Sequence, residues 1–577
     1  MFPHLFDSFR PLQNPLGFGA SDFVELALAA LLVLLAFAWC PWIEPYVRKL
    51  AKRTGWCMLL VAALPVALRL LLLPYHPVPT PDIYDEFSHL LTADTLRHFR
   101  LANPPHPLHQ FFETFFVLQE PSYSSIYPIG QGVALAIGWI VFGTPWAGVV
   151  LSVAAFCALC YWLLRGWTTP VWALAGGALA AIEFGPLNQW MNSYWGGAVA
   201  AGAGCLVFGA LPRLRQGSRP HDALLLGAGL GIHWLTRPYE SIFLVLSVIL
   251  FFLPALRKRE ELRSLAKPVL IVVLAAIPFI AVTLVHNRQV TGSWTTMPEM
   301  LSQYQYGVPA SLTFQSNPIP HRQLTPQQEM GYKMQLSFRS GDETIQSYLL
   351  RLAYRVRFYR FFFLAALYLA LPAFFWALRE FRFVWVLLTL AIFALGANFF
   401  PVFQFHYIAA VTSLFILVSV MGLERLGRLR IGEWPAGQEA ALLIIFLCAS
   451  HFLVWYGLHV FDNREFSRAI MQYETWDAIQ HGDPQGRIAI RNQLAQLPGK
   501  QLVFVRYWPQ HIFQREWVYN AADIDGARVV WARDLGAAED EKLRHYYPDR
   551  TAWLLEPDAR PPKLTPYEPV GNAGVGP

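Results

Sequence analysis

Apolar runs of close to twenty residues recur from residue 22 to residue 461, broken by short polar loops and by two long ones. A helix needs about 20 apolar residues to cross the hydrocarbon layer of a membrane. The pattern predicts twelve such helices, over about 22–43, 56–74, 146–165, 170–184, 195–211, 222–235, 239–254, 268–286, 358–378, 383–400, 406–424 and 439–460. Basic residues gather in short loops between them: Arg48, Lys49, Lys52 and Arg53; Arg213, Arg215 and Arg219; Arg257, Lys258, Arg259, Arg263 and Lys267; Arg379 and Arg382; Arg425, Arg428 and Arg430. Such loops face the cytoplasm. The apolar stretch 128–143 then reads as a re-entrant or interfacial helix, because a crossing there would put the basic 211–222 loop on the wrong side. Twelve crossings leave both termini and the loops 75–145 and 287–357 outside, and loops of that length usually carry function.

Beyond residue 461 the pattern becomes charged, with strand-like runs at 502–507, 528–534 and 551–556 and a helical run at 536–547. The expected architecture is an all-α polytopic membrane domain over 1–461, followed by a small extracytoplasmic α/β domain over 462–577 with a loose Pro- and Gly-rich end.

Composition agrees. Of 577 residues 55% are hydrophobic and 15% charged, against about 25% charged in soluble proteins. The net charge of +6 resides in the orienting loops and does not point to nucleic acid. The first apolar run is too long for a cleavable signal and lacks a basic leader. The six cysteines all fall in apolar segments, which predicts neither a structural disulfide nor a zinc site.

The most informative polar segment is TPDIYDEFSHLLTADTLRHFR, residues 80–100. Thr80 and Pro81 read as a helix start, with Asp82, Asp85 and Glu86 in the first turns, where the helix dipole favours acids. Phe87, Leu90 and Leu91 centre about 190° around the helix from Asp85. The expectation is an amphipathic helix on the membrane surface, with Asp82, Asp85 and His89 turned away from lipid. Asp94 projects onto the apolar side and needs a partner there.

An outward loop after a transmembrane pair, with Asp85-Glu86 opening an amphipathic helix, resembles the GT-C glycosyltransferases. It is similar to the branch that contains protein O-mannosyltransferases and the aminoarabinose transferase of lipid A. The later YPIGQGVALAIGWIVFG (127–143) resembles their Pro-initiated helix ending in Phe-Gly. His406-Tyr407, just before a span, sits where relatives often carry Arg-Tyr. The likeness covers residues 56–430 and does not extend to the tail.

The resemblance implies transfer of a sugar from a polyprenyl-phosphate donor to an acceptor hydroxyl on the extracytoplasmic face, usually with inversion. It implies Asp85 as base, with Glu86 binding acceptor or orienting a neighbour, and no cofactor. His89 could pair with Asp85 or touch sugar. A leaving phosphate needs cations at the outer membrane surface. Arg237, between two short spans in WLTRPYES, and Arg288, in HNRQVTG, are so placed, with Lys333 and His406 as weaker candidates. Asp82 and Asp85 are separated by two residues rather than the one of an Asp-X-Asp metal motif, so no metal is expected. The loop FGPLNQWMNSYWGG (184–197) offers Asn188, Asn192 and Trp195 for sugar hydroxyls and ring faces, although an aromatic belt explains its Trp and Tyr equally well. Expected partners are the donor, membrane lipid and an acceptor glycan, lipid or protein; the setting expected is a bacterial inner membrane with a periplasmic site. A transporter, or a non-catalytic lipid-binding protein, is the alternative. A transporter would be expected to show midplane charges or broken helices in symmetry-related halves, and most spans here lack such charges.

Overall fold

The computed structural model describes residues 20–568 apart from 218, 258, 339–341, 462–478, 480–482 and 484. Lys258 of the third basic loop and the Pro- and Gly-rich end lie outside the described residues.

The chain is mostly helical, 65%, and seven of the described helices are long and apolar enough to cross a membrane. It is an integral membrane protein. The membrane part begins with α1 (Ala20–Ala51) and α2 (Thr54–Leu71). After the first long loop come α5 (Pro145–Leu164), α6 (Pro170–Glu183), α8 (Ala198–Gly217), α9 (Pro220–Thr236), α10 (Pro238–Phe252) and α11 (Arg259–Thr291). After the second come α16 (Phe381–Ala397), α17 (Thr412–Leu426) and α18 (Ala436–Phe461).

The stretch 358–378 is not one helix. It runs as 3-10 turns over Val356–Phe362 and Ala365–Leu369, a short helix α15 (Leu371–Phe374), and a further 3-10 turn Phe375–Arg379. Two causes are visible. Pro372 lacks an amide donor, and the aromatic run is committed to specific partners. Phe361 stacks on Phe405 with ring centres 3.8 Å apart, and Phe362 on Phe415 at 4.7 Å.

The first long loop holds α3 (Tyr84–Arg97), a two-stranded ladder of β1 (Val117–Leu118) and β2 (Ser124–Ser125), and α4 (Gly130–Phe142). Gly143 at φ 75° ends α4 in the left-handed conformation, and Pro145 starts α5 two residues on. The two helices cross closely at Gly138 and Gly148, where a Cβ on either would overlap the opposing backbone. The lower half of α4 exposes Ile137, Ile140, Val141 and Phe142, as an apolar helix facing lipid does.

Helix α3 departs from expectation in two respects. It begins at Tyr84 rather than near Thr80, because the Glu86 carboxylate accepts from the amides of Asp82 (2.8 Å) and Ile83 (3.4 Å) and fixes the start there. It is also not a surface helix: every residue from Tyr84 to Thr95 is buried. Leu90 and Ala93 join the transmembrane core, whereas Leu91 packs with Phe111 and Phe504 in a second core. What covers the predicted lipid face is protein.

Over Phe87 and Leu91 that protein is the C-terminal part. Its sheet has the order β4-β3-β5-β6, built from β3 (Lys500–Val505), β4 (Val529–Arg533), β5 (Arg550–Glu556) and β6 (Lys563–Pro566). The first three pair in parallel and β6 runs antiparallel to β5. Alternation along β3 divides its contacts. Leu502 and Phe504 face the first long loop at Phe111, while Val503 and Val505 face the helix α19 (Arg487–Gln496). Another helix, α20 (Ala537–Tyr546), links β4 to β5. Of these, β6 and α19 were not legible in the residue pattern.

Asp94 finds its partners at this junction. Its carboxylate accepts from Arg97 Nε at 3.0 Å, and across the interface from the amide of Ala522 at 2.7 Å. Tyr123 Oη donates to the Asn520 carbonyl oxygen, Arg533 Nε to that of Glu113, and Thr114 to the Glu516 carboxylate. Asp94→Ala leaves the Ala522 amide buried without an acceptor. A cost of about 2–3 kcal/mol is expected, read as a lower melting temperature of the detergent-solubilised protein and faster proteolytic release of the C-terminal part. An unchanged melting temperature would show that Asp94 does not hold this junction.

Candidate active site

The acids of α3 are built into the protein by different bonds. Asp85 is 7% exposed. One carboxylate oxygen, Oδ1, accepts a short hydrogen bond from Tyr127 Oη. Burial pushes the Asp85 carboxyl up to about 7, against the opposing pull of the Tyr127 bond, its own amide and the Arg237 cation. Tyr127 precedes Pro128 at the entry to α4, and its ring stacks on His89 with centres 4.4 Å apart and planes 19° apart. His89 is buried one turn after Asp85, and burial together with the Arg237 charge lowers it to about 3, so it is neutral at pH 7. Its Nδ1 makes no hydrogen bond among the described residues.

Glu86 is occupied differently. Oε2 takes the two α3 amides, and Oε1 accepts from the Tyr194 amide at 2.9 Å. Burial raises its carboxyl, and these three amides oppose the rise. Both oxygens are thus committed to backbone, which ties the 184–197 loop to the start of α3. Of the two expected roles, orienting a neighbour fits this arrangement.

Arg237 lies in the turn between α9 and α10. That turn is braced by His233 Nδ1 against Ser241 Oγ at 2.7 Å, and by Ser241 Oγ donating to the Arg237 carbonyl oxygen at 2.9 Å. The guanidinium sits 3.7 Å from Glu240 and 4.9 Å from the centre of the Tyr407 ring. Its side chain is 25% exposed, and among the described residues it makes no hydrogen bond. Four or five N–H groups of a partly buried cation are therefore uncommitted. Glu299, at the start of α12 (Pro298–Tyr306), is also close enough for Arg237 to act on it; burial raises the Glu299 carboxyl and the cation opposes this. Tyr407 packs on Phe400 at 4.5 Å, and His406 beside it faces the half-buried Trp195 with ring centres 4.9 Å apart. Asp85, Tyr127 and His89 thus form one cluster and Arg237, Tyr407, His406 and Trp195 another, near enough for the Arg237 charge to act on both Asp85 and His89.

Four candidates do not offer free groups to them. Asn188 caps the short helix α7 (Gln189–Asn192) by accepting from the Trp190 amide, and donates to the Glu183 carbonyl oxygen. Asn192 accepts from Arg69 Nε at 2.8 Å and donates to the carbonyl oxygens of Pro186 and Asn188. Both amides hold the loop rather than present themselves to a sugar, because a tight connection between α6 and α8 must satisfy its own buried backbone. Arg288 is exposed and donates to the Gly292 carbonyl oxygen, closing the end of its own helix. Lys333 pairs with Glu329 at 2.6 Å on the surface.

No family model matches the chain, and no curated protein matches it. Solved structures do. ArnT from Cupriavidus metallidurans in the apo state is 14% identical, with 88% of this chain and 93% of that one covered and a TM-score of 0.47. The same protein bound to undecaprenyl phosphate is 13% identical, with 87% and 93% covered and a TM-score of 0.48. Archaeal oligosaccharyltransferase AglB from Archaeoglobus fulgidus, in complex with an inhibitory peptide and a dolichol-phosphate, is 12% identical, with 89% and 70% covered and a TM-score of 0.33. Both proteins are GT-C glycosyltransferases, the superfamily that the sequence resembles. Identities and scores this low transfer no residue roles, which rest on the geometry above.

Tyr127 carries no motif of its own; in the sequence it is one of several polar and aromatic residues of the loop 75–145, with Glu113, Gln119, Glu120 and Tyr123, that could touch an acceptor. Glu240 was missed, although its place three residues after Arg237 in TRPYE is the spacing of a helical ion pair. Glu299, far away in the second loop, carried no such signal.

Proposed function

We propose that the chain is a membrane glycosyltransferase that moves a sugar from a polyprenyl-phosphate donor to an acceptor hydroxyl on the extracytoplasmic face, with inversion. One observation carries the reading: a buried carboxyl, Asp85, held by Tyr127 through one oxygen and within the electrostatic reach of Arg237, a cation that makes no hydrogen bond among the described residues. In this scheme the unit 1–461 crosses the membrane twelve times in a bacterial inner membrane. The unit 462–577 lies outside, over the loops 75–145 and 287–357.

The Asp85 carboxylate accepts the acceptor's hydroxyl proton on Oδ2 while Tyr127 holds Oδ1. The acceptor oxygen forms its bond to the anomeric carbon as the bond from that carbon to the phosphate oxygen breaks on the opposite face. The electron pair leaves with the polyprenyl phosphate, and Arg237 receives the added negative charge. Neutral His89, Trp195, His406 and Tyr407 supply ring faces and hydrogen-bonding edges for the sugar, a task that Asn188 and Asn192 cannot share. Glu86 and Tyr127 act as positioning residues.

The test is sugar release from a panel of synthetic polyprenyl-phosphate sugars by the purified full-length protein. Turnover of one member supports the reading; failure of every member, with and without candidate acceptors, overturns it. Because the Tyr127 hydrogen bond lowers the Asp85 pKa, Tyr127→Phe moves the rising limb of the pH–kcat profile to higher pH. Activity at pH 7 falls more than activity at pH 9. An unshifted limb would remove Tyr127 from this role.

A further inference from the structure

A cavity of about 190 Å³ opens in the C-terminal part, away from the Asp85 group. Its volume is below the ~300–1,000 Å³ of drug-sized sites and suits a single ring. Trp508 stands at its edge, 43% exposed, and Trp517 forms a buried wall. Gln485 and Gln510 contribute amides, and Arg515 and Arg560 contribute guanidinium groups. Among the described residues the Gln485 Oε1 is buried without a hydrogen-bond partner, and neither arginine forms an ion pair.

The wall is braced by bonds among its own residues. Asp558 accepts from the Trp508 amide at 3.0 Å and from His511 Nδ1 at 2.8 Å, and His511 Nε2 bonds the Arg515 carbonyl oxygen at 2.9 Å. Asp558 is held by these bonds and two arginines outnumber its charge, although Arg515 also acts on the Asp82 carboxyl. An unpaired amide oxygen, an exposed indole face and two guanidinium groups are what a pyranose bearing an anionic substituent requires. Its C–H face lies on the indole, a hydroxyl donates to Gln485, and the anion meets arginine. The cavity also joins the active site by backbone: Arg515 pairs antiparallel with Ile83, two residues before Asp85.

We propose that this cavity binds an anionic saccharide and is the acceptor-recognition site of the enzyme. The acceptor role rests on the transferase reading; binding itself does not. The test uses the full-length protein in detergent, with glucose 6-phosphate, glucose and inorganic phosphate as probes, followed by tryptophan fluorescence and calorimetry. Glucose 6-phosphate is expected to bind at least tenfold more tightly than either of the others. Trp508→Ala is expected to weaken it tenfold or more, and Arg560→Gln to remove most of the preference over glucose. Both side chains are exposed, so the fold tolerates the changes. Equal binding by wild type and Trp508→Ala, or binding lost in Arg237→Gln instead, overturns the proposal. In transfer assays Trp508→Ala raises the KM for acceptor and leaves release of sugar to water unchanged. Comparing free sugar phosphate with a lipid-linked one in phosphatidylcholine vesicles tells a soluble acceptor from a membrane-borne one. Donor turnover without saccharide binding sinks the cavity proposal alone; saccharide binding at Trp508 without any donor turnover sinks the transferase reading and leaves the cavity a binding site.

Discussion

Asp85→Asn is expected to lower kcat for sugar transfer by about 10²–10⁴-fold, the usual contribution of a positioned general base. Donor affinity should stay within a few fold, because Asn keeps the side-chain volume and can still accept from Tyr127. The wild-type pH profile carries the same information. Burial holds the Asp85 carboxyl up to about 7, so below that pH it is protonated and cannot take a proton from the acceptor. Activity therefore rises with pH and levels off above 7. The Asn variant should keep a small residual rate and lose this limb. Single-turnover measurements with a labelled donor from pH 5.5 to 9 decide the matter. A variant that retains both the limb and the wild-type rate would mean that another group is the base.

The spans were legible because hydrocarbon thickness imposes one length on every crossing, and helices such as α5, α8 and α18 repeat that length in the sequence. The stretch 358–378 was not, since an apolar aromatic run carries the same hydropathy whether it forms a continuous helix or packs ring by ring against Phe405 and Phe415. Asp85 was found from its motif, but its environment was misjudged. The wheel of α3 shows an apolar face without showing what covers it, and β3 and the 517–524 segment cover it here in place of lipid. Asn188 and Asn192 illustrate the reverse error. Amides beside aromatic residues look like a sugar site, yet a short loop between two membrane helices uses those amides to satisfy its own carbonyl groups. Asp94 shows what the pattern can do: its misfit on the apolar face correctly demanded a partner, and only the fold could say that the partner is the Ala522 amide.

Arg237→Gln should be the second most damaging change. A preorganised donor aimed at developing charge contributes about 10²–10³ in kcat, and Arg237 is a cation whose charge reaches Asp85. Two effects should appear together. Loss of the cation withdraws stabilisation from the leaving phosphate, so kcat falls at every pH. It also removes an attraction that lowers the Asp85 pKa, so the rising limb moves to higher pH, the same direction as for Tyr127→Phe but with a far larger fall on the plateau. Arg237→Lys keeps the charge facing Glu240 and the Tyr407 ring but not the planar fork. It should keep the limb near its wild-type position and recover only part of the plateau, since a phosphate held by two parallel N–H groups is not matched by a single ammonium. The Lys variant also separates chemistry from folding, because it leaves Glu240 with a cationic neighbour. If Lys and Gln lower the plateau equally while both proteins melt like wild type, the guanidinium geometry rather than its charge governs the step. If neither lowers it, the leaving phosphate is neutralised elsewhere.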